Sequence, residues 1–392
     1  MGRAWDLKLQ AQREIEAHRQ ELTDLSLRLH ANPELSLQEE QSARWLAEYL
    51  SGQEFAVISG AYQMPTAFEA TYGSGDPHIG IIAEYDALPG MGHACGHNII
   101  ATAALGAGLG AKAVADSLGG TIHVIGTPGE EGKGGKILMA QNGAFSNLDA
   151  AMMVHPGSYN TAGCIAMAIA FLEVEFHGKA SHAAGAPQQG INALEAMIIS
   201  FNAINSLRQH MADSSRVHGI ITDGGQAANV VPAHSAGTFY IRAADDEYLE
   251  VLKERVIGCF QAGAQATGSR LEYRWSEPQY STMNNNNVMS RLFARNLEAL
   301  GRSMEPYEDK TFGSTDMGNV SFMVPGIHPI IAVSPPGVSI HTVEFESHAG
   351  SEAAHKAMID GATAMAWTVV DLLAEPSNLA QAKEAFRSGK TA

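Results

Sequence analysis

The apolar run Ile79-Gly80-Ile81-Ile82-Ala83 is followed by a long small-residue helical pattern over residues 99–117 and by a second apolar run, Thr121–Gly126. Strands without polar alternation are buried on both faces, and two of them joined through a helix run parallel. This stretch therefore commits the chain to an α/β fold with a mostly parallel sheet and helices on both faces. In such sheets chemistry gathers at the carboxyl ends of the strands. Ahead of it, Leu7, Ile15, Leu22, Leu25 and Leu29 recur at helical spacing among charges. A second such pattern runs from Gln38 to Leu50, and both read as surface helices.

A different order occupies about 170–280. Phe171–Phe176 alternates as a strand, Ile191–Gln209 reads as a helix, and Val217–Thr222 and Gly237–Arg242 as two more strands. Glu247–Ala266 is a helix pattern and Arg270–Trp275 a last strand. That βαββαβ sequence is the ferredoxin-like split motif. The polar run Met283-Asn284-Asn285-Asn286-Asn287 then marks a return linker. The expected layout is a larger domain over 1–169 and 284–392 with a small α+β domain inserted over 170–283. A length of 392 residues suits two cores. Gly106-Ala107-Gly108-Leu109-Gly110 has the look of a dinucleotide loop, but it lies inside a helix pattern, so close helix packing is the better account.

Three strand ends carry groups capable of chemistry. After Ala83 come Glu84, Asp86, His93, Cys95 and His97, where a thiolate and an imidazole two residues apart can turn toward one ion. Nearby acids can orient an imidazole through its other nitrogen. The plainer account makes Cys95 a small apolar filler and the histidines hydrogen-bonded loop residues. After the strand Thr121–Gly126 come Glu130 and Glu131, adjacent carboxylates that point in different directions, so that one can bind metal while the other moves a proton. The strand Ala150–Val154 ends at His155-Pro156. Three successive strands thus bring possible ligands to the same sheet edge.

The segments AEYDALPGMGHACGHN, GTPGEEG and MMVHPG resemble the metallopeptidase family that holds aminoacylases, glutamate carboxypeptidases and auxin-conjugate hydrolases, numbered twenty among metallopeptidases. The resemblance covers nearly the whole chain, including GKASHAAGAPQQGINALEA and NVVPAHSAGTFYIRA. With GSTDMGNVS, the pattern looks closest to the branch of p-aminobenzoyl-glutamate hydrolase and a β-alanyl-lysine type dipeptidase. The resemblance implies two divalent metal ions held by Cys95, His97, Glu131, His155 and His341. It also implies Glu130 as general base and Asp86 as the carboxylate that orients an imidazole. His341 stands in SIHTVEF, with His348 and His355 as competitors for the last ligand. Many members have a histidine ligand where this chain has Glu84, and the auxin-conjugate branch has aspartate where it has Asn98. In the inserted lid and dimerisation domain, His182 matches an oxyanion-stabilising histidine. Asn229 and Arg242 match residues that grip a substrate carboxylate.

The implied activity is metal-dependent hydrolysis of the amide bond in a small carboxylate-bearing substrate, such as a dipeptide, an N-acyl amino acid or a p-aminobenzoyl-glutamate. Thiolate and imidazole ligands suit zinc, with manganese or cobalt as alternatives. One rival makes Cys95 a nucleophile paired with His97, without metal. Another makes the chain a binding protein without catalysis. A net charge of −17 without a basic stripe argues against a nucleic-acid partner. No run approaches the ~18 apolar residues of a membrane span. Three scattered cysteines, Cys95, Cys164 and Cys259, fit a reducing compartment, so a cytoplasmic protein is expected, and the βαββαβ insert, with an edge strand for pairing and a helix face for packing, makes a homodimer the expected assembly.

Overall fold

The computed structural model describes residues 2–307 and 311–389. It divides into two compact units, Met1–Ile165 with Met283–Ala392, and Ala166–Thr282. The first unit holds strands β1 (Ala56–Ser59), β2 (Phe68–Ser74), β3 (His78–Glu84), β4 (Gly120–Thr127) and β5 (Ala150–Met152). The second holds β6 (Ala168–His177), β7 (Arg216–Asp223), β8 (His234–Ala243) and β9 (Arg270–Tyr280), and the chain returns to the first unit with β10 (Gly326–Ile327).

The main sheet has the order β1-β2-β4-β3-β5-β10. From β4 to β10 all neighbours are parallel, as the apolar runs require, while β1 and β2 add an antiparallel edge that the sequence patterns did not reveal. Every residue of β4 is buried, and so is β3 from Ile79 onward. Successive side chains point to opposite faces, so both faces are covered. The N-terminal leucine pattern forms two helices, α1 (Arg3–Ala17) and α2 (Arg19–Ala31), and α3 follows over Glu40–Gly52. They are surface helices whose apolar stripes face inward: Leu7, Ile15, Leu22, Leu25 and Leu29 all sit in the core.

The long helix α4 (His97–Leu118) packs on β3 and β4. Its glycines serve close packing, not a nucleotide. A Cβ on Gly108 would lie 2.5 Å from Val124, and one on Gly110 would lie 2.7 Å from Ile15 and 2.9 Å from Ala366. Helix α4 and the later helix Glu352–Ala374 are long and apolar enough by composition to cross a membrane, which the sequence patterns did not suggest. Their apolar windows are 89% and 83% buried inside the unit, the pattern of core helices.

In the inserted unit the strand order β9-β6-β8-β7 is fully antiparallel and is that of the ferredoxin-like motif. Its two helices are Ala193–Leu207, capped by the Asn192 side chain, and Asp246–Thr267, capped by Asp245. They cover one sheet face with a separate core built on Phe176, Phe239 and Phe260. The asparagine linker is anchored rather than loose. Asn285 donates to the Cys164 carbonyl at 2.7 Å, and Asn286 caps the next helix, Asn287–Ala299.

Candidate metal centre and active site

Strands β3, β4 and β5 lie side by side and parallel, so their carboxyl ends open on one edge. The loop after β3 reaches that edge at Cys95, and α4 starts at His97. Gly96 between them has φ +80°, and a Cβ there would meet Pro156 at 2.5 Å. Only glycine lets the thiol and the imidazole approach the His155-Pro156 segment this closely. After β4, the short turn Glu130–Lys133 breaks helical geometry at Glu131 and Gly132.

These loops converge. Ligand atoms of Cys95, His97 and His155 lie within 4.8 Å of one another, as do those of Cys95, Glu131 and His341, and those of His97, Glu130 and Glu131. Cys95 Sγ is 3.5 Å from His155 Nε2, and His341 Nε2 is 3.2 Å from Glu131 Oε1. His348 and His355 join none of these groups among the described residues. His341 has φ +63° and donates its backbone N–H to the Ala94 carbonyl at 2.8 Å. A non-glycine residue held in that region stores strain, which is characteristic of functional positions.

The hydrogen bonds leave lone pairs aimed into the cluster. His97 Nδ1 faces Asp86 Oδ1 at 2.9 Å, and His155 Nδ1 faces the Pro156 carbonyl at 2.7 Å. Both partners only accept in their ordinary states, so each Nδ1 carries the proton and each Nε2 presents a lone pair. His97 Nε2 is buried and has no hydrogen-bond partner among the described residues, as an unligated donor atom of a metal site would be. Asp86 organises the surroundings further, accepting from the Glu131 backbone N–H at 2.9 Å and from Ser36 Oγ at 2.7 Å.

Burial, with the neighbouring His328 and His97, holds His155 well below the usual imidazole range, which keeps it neutral. Burial and then the Glu131 charge push the Cys95 thiol up, opposite to what a free attacking thiolate needs. Burial also raises Glu130, and the Glu84, Glu131 and Asp316 charges add to that rise.

Residues 80–367 match the peptidase family M20/M25/M40. The chain belongs to this family. It is 36% identical over 404 residues to the Xaa-Arg dipeptidase of Homo sapiens, covering 97% of this chain and 92% of that protein. One of the p-aminobenzoyl-glutamate hydrolase subunits of Escherichia coli is 29% identical over 448 residues, covering 94% of this chain and 92% of that protein. The fold is shared with a dinuclear metal binding M20 peptidase of Bacillus subtilis at a TM-score of 0.73 and 19% identity, covering 92% of this chain and 99% of that one. Membership places the chain among metal-dependent hydrolases.

Against this family background, the departure at Glu84 has a structural explanation that the sequence did not suggest. Glu84 Oε1 is 2.5 Å from Lys136 Nζ, and that ammonium is 2.6 Å from Asp316 Oδ1. The Lys136 backbone N–H donates to Asp316 Oδ2 at 2.9 Å. All three side chains are buried. Asp316 therefore does not cap the helix Met317–Ser321; its carboxylate is spent on Lys136. Lys136 could have been suspected only as a lone charge in an otherwise small and apolar helix, Gly135–Gln141. Asn98, the second departure, donates to Ser26 Oγ and the Ala349 carbonyl, both at 3.0 Å, and so ties α4 to its neighbours.

The remaining candidates belong to the inserted unit. His182 is in an exposed turn where its Nδ1 accepts from the Ala184 and Gly185 backbone N–H groups at 3.2 and 3.0 Å. In the neutral ring the proton is thus on Nε2, the tautomer an oxyanion donor needs. Asn229 ends the turn before Val230, which bridges to His182, and its carbonyl accepts from the Ala183 N–H at 3.0 Å. Arg242 is on β8, in register with Ile169 on one side and Arg216 on the other.

Proposed function

We propose that the chain hydrolyses the amide bond of a small carboxylate-bearing substrate, a dipeptide foremost, through a dinuclear metal site. The observation that carries this reading is the sharing of Cys95. It belongs to one ligand group with His97 and His155 and to a second with Glu131 and His341, so the donor set divides into two adjacent positions around one thiolate. The donors fit divalent ions such as zinc, with manganese or cobalt as alternatives. When bound, such ions lower the pKa of water and polarise an amide carbonyl.

The chain's own residues supply the rest. Asp86 fixes the tautomer of His97 and the position of Glu131. Glu130, beside Glu131, takes a proton from the attacking water and returns it to the leaving amine. Its raised pKa suits the second half of that cycle, since a carboxyl that holds its proton donates more readily at neutral pH. His182 donates from Nε2 to the developing oxyanion, and Asn229 and Arg242 bind the substrate carboxylate, for which the planar guanidinium is matched. A dipeptide with a basic C-terminal residue is the first substrate to test, given the relative named Xaa-Arg dipeptidase. The inserted unit forms the homodimer contact. The thiol alternative is disfavoured by the raised Cys95 thiol.

The test is Glu130→Gln, which preserves shape. It is expected to keep the bound metal while lowering kcat by roughly 10²–10⁴-fold on an arginine-containing dipeptide. Near-wild-type turnover would remove Glu130 from the proton path.

A further inference from the structure

We infer that the inserted unit carries a separate binding site for one divalent transition-metal ion, built from His177, His234 and Glu175 on the sheet face away from its helices. The inference rests on this unit alone and stands or falls independently of the catalytic reading. His234 opens β8 and pairs directly across the sheet with His177, which closes β6; Glu175 lies two residues back on the same face of β6. Ligand atoms of the three lie within 4.8 Å of one another.

The spacing is that of a coordination shell. His234 Nε2 is 3.0 Å from Glu175 Oε2, and His177 Nε2 is 3.7 Å from the same oxygen. Four ligands at zinc bond lengths of about 2.0–2.2 Å stand roughly 3.3–3.6 Å apart in a tetrahedron, so small side-chain rotations close the shell. Glu272, on the adjacent β9, offers a fourth oxygen 3.1 Å from His177 Nε2 and also pairs with Arg270.

Proton counting at His234 demands a cation. Its Nδ1 faces Asp223 Oδ2 at 2.7 Å while its Nε2 faces Glu175. A neutral imidazole has one proton for these two carboxylates, so the other contact needs a second proton or a metal. With the proton on Nδ1, Asp223 becomes the outer carboxylate that fixes ring and tautomer in many histidine–metal sites, and Nε2 is left as the ligand. Glu175, Asp223 and Glu272 bring three negative charges to two histidines and one arginine, a balance that a divalent ion improves. Imidazole with carboxylate selects zinc, copper or nickel over magnesium or calcium. His177 and His234 remain partly open to solvent, with side-chain exposures of 31% and 37%, so an ion can enter without unfolding.

Equilibrium dialysis of the full chain against zinc at neutral pH, followed by elemental analysis, tests the site. The wild type is expected to hold one more zinc per chain than the double variant His177→Ala/His234→Ala, while peptide turnover stays within about twofold. Glu175→Gln, a milder change at an exposed position, is expected to release the same ion. Equal zinc content in the wild type and in folded, active variants would overturn the proposal and leave the cluster as an imidazolium–carboxylate network.

Discussion

Replacing Lys136 by Met removes the ammonium that faces both Glu84 and Asp316 while keeping an unbranched apolar stem in a fully buried position. Breaking a buried ion pair from one side costs about 3–5 kcal/mol, because the partner is left charged and unpaired. The protein can lessen that cost by protonating Asp316. Burial, already stronger than the opposing effect of Lys136, pushes this carboxyl up to about 6. Holding it neutral in the variant costs about 1.4 kcal/mol for each pH unit above its wild-type folded value of about 6, hence roughly 1.4 kcal/mol at pH 7 and nothing at pH 5 relative to the wild type. The sign follows from the raised folded pKa: the stability is retained at low pH and lost as pH rises through it. For a unit of this size about 2 °C accompanies each kcal/mol, so the midpoint deficit of Lys136→Met should be roughly 3 °C larger at pH 7 than at pH 5. Adding Asp316→Asn should raise the midpoint of the Lys136→Met protein at pH 8 but lower that of the wild type. Calorimetry across this pH range is the assay. A pH-independent loss, or an Asp316→Asn effect of the same sign in both backgrounds, would refute the reasoning.

His182→Ala is expected to lower kcat with little change in metal content or midpoint, because an oxyanion donor acts mainly in the transition state; steady-state kinetics with elemental analysis checks this. If His182 serves the partner's site in a homodimer, mixing His182→Ala with Glu130→Gln chains under verified subunit exchange should restore part of the activity, and no recovery would reject that arrangement. Gly135→Ala places a methyl carbon 1.6 Å from the Pro128 carbonyl oxygen, so the segment carrying Glu130 and Glu131 must shift. Weaker metal retention and a lower midpoint are expected, and chelator titration measures the first.

The parallel sheet was legible because β3 and β4 are apolar without alternation, which only burial on both faces allows. The inserted motif was legible for the opposite reason: β6 alternates, with Glu173 and Glu175 outside and Val174 and Phe176 inside. Strand β1 escaped notice because it is four residues long and mostly exposed, and β2 because its half-buried run is broken by Glu69 and ends in exposed Gly73-Ser74. Within the candidate site, residues at strand ends announced themselves by type and spacing, and the structure gathers Cys95, His97, Glu130, Glu131, His155 and His341 as a cluster. Lys136 did not, and Asp316 stood out only within GSTDMGNVS, since 180 residues separate the two and their partnership exists only through burial. Ser36, which ties Asp86 to the Glu131 carbonyl, is likewise unmarked by any local pattern.

On the proposed function, Cys95 stands between two metal positions. Anomalous diffraction from zinc-loaded crystals, collected on both sides of the zinc absorption edge, tests it directly. Two peaks are expected, one among Cys95, His97 and His155 and the other among Cys95, Glu131 and His341, separated by about 3.5–4 Å as in two-metal hydrolytic sites. A fully loaded, active enzyme with no peak at these residues, or with a single peak remote from Cys95, would contradict it.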